Sequence, residues 1–263
     1  MTGISEHTET LDGQPVFWRA APPADGGSPI LYVHGVPTNS DLWAPFLQRT
    51  GGIAVDLPGF GRSGKRGDLD YSVPGLARFV GRFLELVGAD EVRLVVHGWG
   101  ACALRWAQDE PERIERLVVV DAVPLLPGLR WHRLARAWRT RGVGEVAMGL
   151  SVRPALRCAL PRELVGLVAD HLDQGTQRAI LELYRWADPD VLAACGAGLG
   201  EIDARALVLW GERDPYIPAS FAFAYADALG GDAAVEIVGG AGHWPWLGRA
   251  EVVGRVDSFL RDR

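Results

Sequence analysis

The sequence predicts an α/β protein: a mostly parallel eight-stranded sheet covered by helices on both faces and interrupted by one helical insertion. Three observations carry this. Short runs of β-branched and apolar residues recur along the chain, as buried parallel strands require. Between most of them lie segments whose apolar residues follow the spacing i, i+3, i+4, i+7 of an amphipathic helix, and strands alternating with helices pair in parallel under two helical layers. The rhythm then stops between residues 124 and 200, where no convincing buried strand occurs while Trp131, His132, Trp138, Tyr184 and Trp186 appear.

In chain order, the turn Leu11-Asp12-Gly13-Gln14 separates residues 8–11 from 16–20, an N-terminal hairpin ended by Pro22, Pro23 and Asp25-Gly26-Gly27. Residues 30–33 form a buried strand that runs into His34-Gly35-Val36-Pro37, and a helix follows with Ser40 or Asp41 as its expected N-cap. Residues 53–55 are the next strand, closed by a Gly-rich turn from Asp56 to Gly64. Leu76, Ala77, Val80, Phe83, Leu84 and Val87 then mark one face of a helix beginning near Val73. Strand 92–96, a sharp turn at His97-Gly98-Trp99-Gly100 and a helix carrying Cys102, Ala103, Trp106 and Ala107 come next, followed by strand 117–120. After the insertion, strand 207–210, helix 221–229, strand 235–238 and helix 252–260 complete the sheet. The expected organisation is therefore a core of residues 1–123 and 201–263 with a helical cap over 124–200.

The chain has 263 residues, 48% of them hydrophobic, enough to bury roughly three-quarters of its unfolded surface. A net charge of −6 offers no concentrated basic face for nucleic acid. Of the 27 basic residues only Lys65 is a lysine. Cys102, Cys158 and Cys195 are odd in number, far apart and without His at metal spacing, so they read as thiols in a reducing compartment, and neither metal nor cofactor is expected. The opening residues carry no apolar leader and no later run approaches the ~20 apolar residues of a membrane span, which points to the cytoplasm and to no membrane partner.

The turn at Gly98 has the form of a nucleophile elbow, G-x-S-x-G in pattern, but the position that would hold Ser, Asp or Cys is occupied by Gly98. Four loops stand at the carboxyl ends of strands, where active-site groups collect in parallel sheets: His34-Gly35-Val36-Pro37, His97-Gly98-Trp99-Gly100, Gly211-Glu212-Arg213-Asp214 and Gly240-Ala241-Gly242-His243-Trp244. In this order, with an insertion between the sixth and seventh strands, nearly the whole chain resembles the α/β-hydrolase family. The resemblance implies an oxyanion hole from the backbone N–H groups of Val36 and Trp99, His243 as base and Asp214 as the acid that orients it, with Asp121 in reserve. A surface histidine and a turn-forming aspartate are the plain alternatives for His243 and Asp214.

His-Gly-x-Pro together with a Trp after the elbow position looks like the epoxide hydrolase and haloalkane dehalogenase branch. Three departures separate this chain from it. Gly98 removes the attacking carboxylate, Val36 stands where dehalogenases usually carry Asn, and the insertion holds one tyrosine, Tyr184, where epoxide hydrolases usually present two. Cys102, one turn into the helix, packs on the sheet, and Ser40 and Ser63 have local cap and turn roles, so none replaces the nucleophile. Arg130, Arg133, Arg136 and Arg139, at steps of three, could gather toward an anionic substrate or form a solvated face.

His34, Trp99, Trp131, Trp138 and Tyr184 are the expected substrate-binding residues, for a small and partly apolar molecule. Three functional readings follow. The first is a hydrolase-class enzyme, or a non-hydrolytic lyase or cyclase, with a His/Asp general base and no covalent nucleophile. The second is a non-catalytic small-molecule binder on the same fold. The third is a nucleophile-to-Gly variant of an ordinary epoxide hydrolase, dehalogenase or esterase.

Overall fold

Backbone pairing alone defines the first strand, because its residues up to Thr10 are exposed and polar. That is why β1 (Ser5–Leu11) starts earlier than an apolar pattern can indicate; it pairs antiparallel with β2 (Gln14–Ala21) across Asp12-Gly13. The computed structural model describes residues 3–262; residues 1, 2 and 263, the outer ends of the two expected core segments, lie outside the described residues.

The chain continues through β3 (Ile30–Val33), a 3-10 turn at Ser40–Trp43, α1 (Ala44–Thr50), β4 (Gly52–Val55), α2 (Val73–Val87), β5 (Val92–His97), α3 (Cys102–Asp109) and β6 (Ile114–Val120). The cap of the first helical turn is Asn39 rather than Ser40 or Asp41: its side chain accepts from the Asp41 N–H at 2.9 Å. The Ser40 N–H is already held by Asp56 Oδ1 at 2.6 Å, which places residue 40 inside the turn.

Six short helices then intervene: α4 (Arg133–Arg139), α5 (Val143–Gly149), α6 (Arg153–Ala159), α7 (Arg162–Ala169), α8 (Gln174–Trp186) and α9 (Pro189–Cys195). The sheet resumes with β7 (Ala206–Gly211), followed by α10 (Ser220–Ala228), β8 (Ala233–Val238) and α11 (Ala250–Arg261).

Strand order is β1-β2-β4-β3-β5-β6-β7-β8, antiparallel for the hairpin and its junction with β4 and parallel from β4 onward. Side-chain alternation sorts the core into two faces. Val33, Leu94, Val96, Val119 and Val208 pack with α2, α3 and α10, while Tyr32, Val95, Val118, Leu207 and Leu209 pack with α1 and α11. Arg93, in the central strand β5 and 2% exposed, binds Asp25, the Ser28 carbonyl and the Leu260 carbonyl, which ties the start of the strand to the end of α11. The insertion is tied to the loop after β4 by four hydrogen bonds: Lys65 Nζ donates to Asp173 Oδ2 at 2.7 Å and to the His171 carbonyl at 3.3 Å, Thr176 Oγ1 donates to the Gly59 carbonyl at 2.9 Å, and Arg178 donates to the Lys65 carbonyl.

Candidate active site

The parallel strands end at one rim, and the turns leaving them carry Gly98, Asp214 and His243. After β5 the chain bends through Gly98 at φ +54°, and the next turn packs so tightly that a Cβ on Gly100 would lie 2.2 Å from the Val33 carbonyl oxygen. A left-handed φ is the backbone state of a nucleophile elbow and is costly for a residue with a side chain. The missing side chain has a definite direction: a Cβ on Gly98 would lie 3.5 Å from His243 Nε2 and 3.2 Å from the Gly35 Cα. The elbow shape is present, and it faces an imidazole.

His243, after β8, is buried, and its Nδ1 is 2.7 Å from Asp214 Oδ2. Asp214, after β7, uses its other oxygen to accept the N–H groups of Tyr216 at 2.7 Å and Ile217 at 3.2 Å. Burial works against its charge, but the hydrogen bond and charge of His243 and the Tyr216 N–H outweigh burial and hold the carboxyl below its ordinary range. An ionised Asp214 requires the proton of the pair on Nδ1, which leaves the Nε2 lone pair facing the space beside Gly98.

Asp121, the reserve acid, follows β6 at φ 41° and is fully buried. Its Oδ1 accepts the Gly211 N–H at 2.9 Å; its Oδ2 has no hydrogen-bond partner among the described residues. Burial first, then the charge of Asp214, push its carboxyl well above the ordinary range. Ligand atoms of Asp121, Asp214 and His243 lie within 4.8 Å of one another.

A cavity of ≈ 290 Å³ opens over Gly98 and His243 and is walled by the insertion. Val36, Trp99, Trp131, Trp138 and Tyr184 all line it. Trp131 lies nearly parallel to Trp99 at 5.8 Å and donates its indole N–H to the Ala187 carbonyl at 3.0 Å. Tyr184 sets its ring 5.1 Å from Trp99 and 4.9 Å from Trp138, and burial raises its phenol. The indole nitrogens of Trp99 and Trp138 are fully buried behind this wall, with no hydrogen-bond partner among the described residues. The Trp99 backbone N–H sits at the start of a 3-10 turn, where no intrahelical acceptor exists.

His34 does not join this wall. It is fully buried, its Nε2 accepts the Leu57 N–H at 2.9 Å and its Nδ1 meets the Gly35 carbonyl at 2.8 Å, so the ring fixes the turn that carries Val36. Of the candidate substitutes for the nucleophile, Ser40 is fully buried and its Oγ has no hydrogen-bond partner among the described residues. Burial pushes the Cys102 thiol up to about 12, and Ser63 Oγ accepts the Phe17 N–H while donating to the Asp56 carbonyl. Of the arginines at steps of three, Arg139 turns inward to the Tyr184 carbonyl and the other three stay exposed.

Three site residues were not singled out by sequence. His97 Nε2 is 2.8 Å from the His243 carbonyl and its ring lies 4.6 Å from the His243 ring, holding the base from behind. Tyr216 sets its ring edge-on to His243 at 5.1 Å. His132 lines the cavity from the insertion, and its Nδ1 accepts the Ala135 N–H at 3.3 Å, which leaves its Nε2 as the protonated nitrogen. Only proximity to Gly98 in the one case, and to Trp131 in the other, marked the two histidines in the sequence. A larger open groove of ≈ 690 Å³ between the hairpin, α2 and α3 lies away from all these groups.

A cap insertion over a sheet whose fifth strand ends in an elbow, with an acid–histidine pair beyond it, is the plan of the α/β hydrolases. The chain has the α/β-hydrolase fold, and the family model for that fold matches residues 28–144. The chain is 33% identical over 165 residues to a haloalkane dehalogenase of Agrobacterium fabrum, covering 56% of this chain and 53% of that one. It is 35% identical over 136 residues to a haloalkane dehalogenase of Mesorhizobium japonicum, covering 45% and 42%. The match thus spans about half the length of these curated relatives. In fold it superposes on the crystal structure of haloalkane dehalogenase DbeA from Bradyrhizobium elkani with a TM-score of 0.81, at 24% identity over 98% of each chain.

Proposed function

We propose that the chain is an α/β-hydrolase-family enzyme that acts on a small, largely apolar substrate by general-base catalysis, without a covalent nucleophile. One observation carries this reading: the space a nucleophile's Cβ would fill lies 3.5 Å from His243 Nε2, while the Asp214 bond that fixes the imidazole is intact. A water, or an acidic C–H or O–H of the substrate, held in that space gives its proton to Nε2, and Asp214 stabilises the imidazolium that forms. Negative charge developing on the substrate faces the backbone N–H groups of Val36 and Trp99. Because general-base action contributes ~10²–10⁴ and an oxyanion hole with binding a further ~10³–10⁴, the substrate class is an activated one: a strained lactone, an activated ester, or a molecule that eliminates or cyclises on loss of one proton.

The test is a screen of activated esters, lactones and epoxides, followed by His243→Ala on whichever compound turns over. Turnover is expected to fall at least ~10²-fold, and rapid quenching followed by intact-protein mass spectrometry should show no covalent adduct in either protein. A rate unchanged by His243→Ala removes the base from the mechanism. Tight ligand binding with no turnover of any compound turns the reading into that of a small-molecule binder.

A further inference from the structure

From Arg130 to Arg162 the insertion carries eight arginines against a single acid, Glu145, in a chain whose net charge is −6. Glu145 is spent on Arg185, and Arg139 and Arg153 have Asp188 and Asp170. Arg130, Arg133, Arg136, Arg141, Arg157 and Arg162 are exposed, with no carboxylate within salt-bridge distance among the described residues.

The same stretch holds Leu134, Val143, Val146, Leu150 and Val152, five of the eight large hydrophobic residues exposed in the described chain. Along α5 and its C-cap, Val143, Val146 and Leu150 stand at i, i+3 and i+7, one outward stripe, while Gly144 and Met148 are buried. This helix therefore has an apolar face toward the protein and another toward solvent. Leu134 and Leu150 also line the cavity, so the exposed aliphatic patch is continuous with its mouth.

We infer that this face of the cap docks on an anionic lipid surface, with the arginines against the headgroups, the aliphatic side chains among the acyl chains and the cavity mouth turned toward the bilayer. Arginine-rich rims around outward apolar side chains are the composition of helices that lie in a membrane interface, a different requirement from spanning one. A second copy of the chain is disfavoured as the occupant, since a two-fold contact would set these arginines against each other. A nucleic acid would match the charge but leave the valines and leucines without a partner. This inference is independent of the chemistry at His243.

The test is co-sedimentation of the full chain with vesicles of phosphatidylcholine, with and without phosphatidylglycerol. Binding is expected only with phosphatidylglycerol and should weaken with salt. Arg133→Gln with Arg136→Gln should lower the partition constant at least ~10-fold. Val146→Ser with Leu150→Ser should also abolish most of it while leaving the charge unchanged, whereas Phe223→Ser, exposed on α10, should change nothing. Melting curves confirm that each variant is folded. No binding to either vesicle overturns the inference. So does binding indifferent to Val146 and Leu150, or heparin binding as strong as vesicle binding and equally insensitive to them, which points to a polyanion. A dimer in light scattering that Leu150→Ser dissociates assigns the face to a second copy instead.

Discussion

Gly98 concentrates the question of chemistry in one residue. Its φ of +54° suits glycine, and a Cβ there would press on the Gly35 Cα at 3.2 Å, so Gly98→Asp is expected to lose about 1–3 kcal/mol of stability, read as an earlier melt. The same Cβ points a carboxylate at His243, and mixing that variant with an epoxide should give an ester adduct by mass spectrometry, most durable when His243→Ala blocks its hydrolysis. A Gly98→Asp protein as stable as its parent and inert to every epoxide would remove the elbow from position 98. Asp121 illustrates a different residue-scale effect: burial, then the charge of Asp214, raises the proton affinity of a second carboxyl beside it. In sequence it could only be a reserve acid, since nothing local says which of two aspartates takes the proton.

At the scale of elements, α2 shows how a helix can be legible from end to end. Ser72 Oγ accepts the Gly75 N–H at 3.0 Å, and Gly88 closes the other end in the left-handed conformation at φ 67°. Ser72→Ala should cost ~1 kcal/mol, lowering the melting temperature by roughly 2–4 °C. The buried strands were equally legible because both faces demand apolar residues, and each of the four loop motifs lies at the rim. Elements without that demand were not. The exposed start of β1 has no alternation to detect, and α4, α5 and α6, seven residues each, make about two turns, too few for a period to emerge. In α5 the apolar residues on two faces blur it further. His97, His132 and Tyr216 reach the site only through tertiary packing, so neither spacing nor motif announces them.

For the whole molecule, buried imidazoles set the response to acid. Burial lowers the affinity of His34 and His97 for protons, with the nearby His243 adding to the effect on His97. Burial, helped by His243, pushes His132 down to about 4. An unfolded chain takes up protons on these rings near pH ~6.5, whereas the folded one does not, so the stability they lend is present above that pH and is lost as pH falls. Thermal melts from pH 7.5 downward should therefore show the midpoint dropping below about pH 6.5, and His132→Phe should remove the part of the slope between there and about pH 4. A flat profile across that window would mean that the rings are protonated in the fold.

The tie between Lys65 and Asp173 has a practical consequence. Lys65 is the sole lysine of the chain, and its ammonium is engaged across the seam between sheet and insertion. An amine-selective acylating reagent thus has one ε-amine to attack, and that amine is least nucleophilic while the seam is shut. The labelling rate of this nitrogen becomes a clock for how often the insertion lifts from the sheet, readable with no substrate in hand.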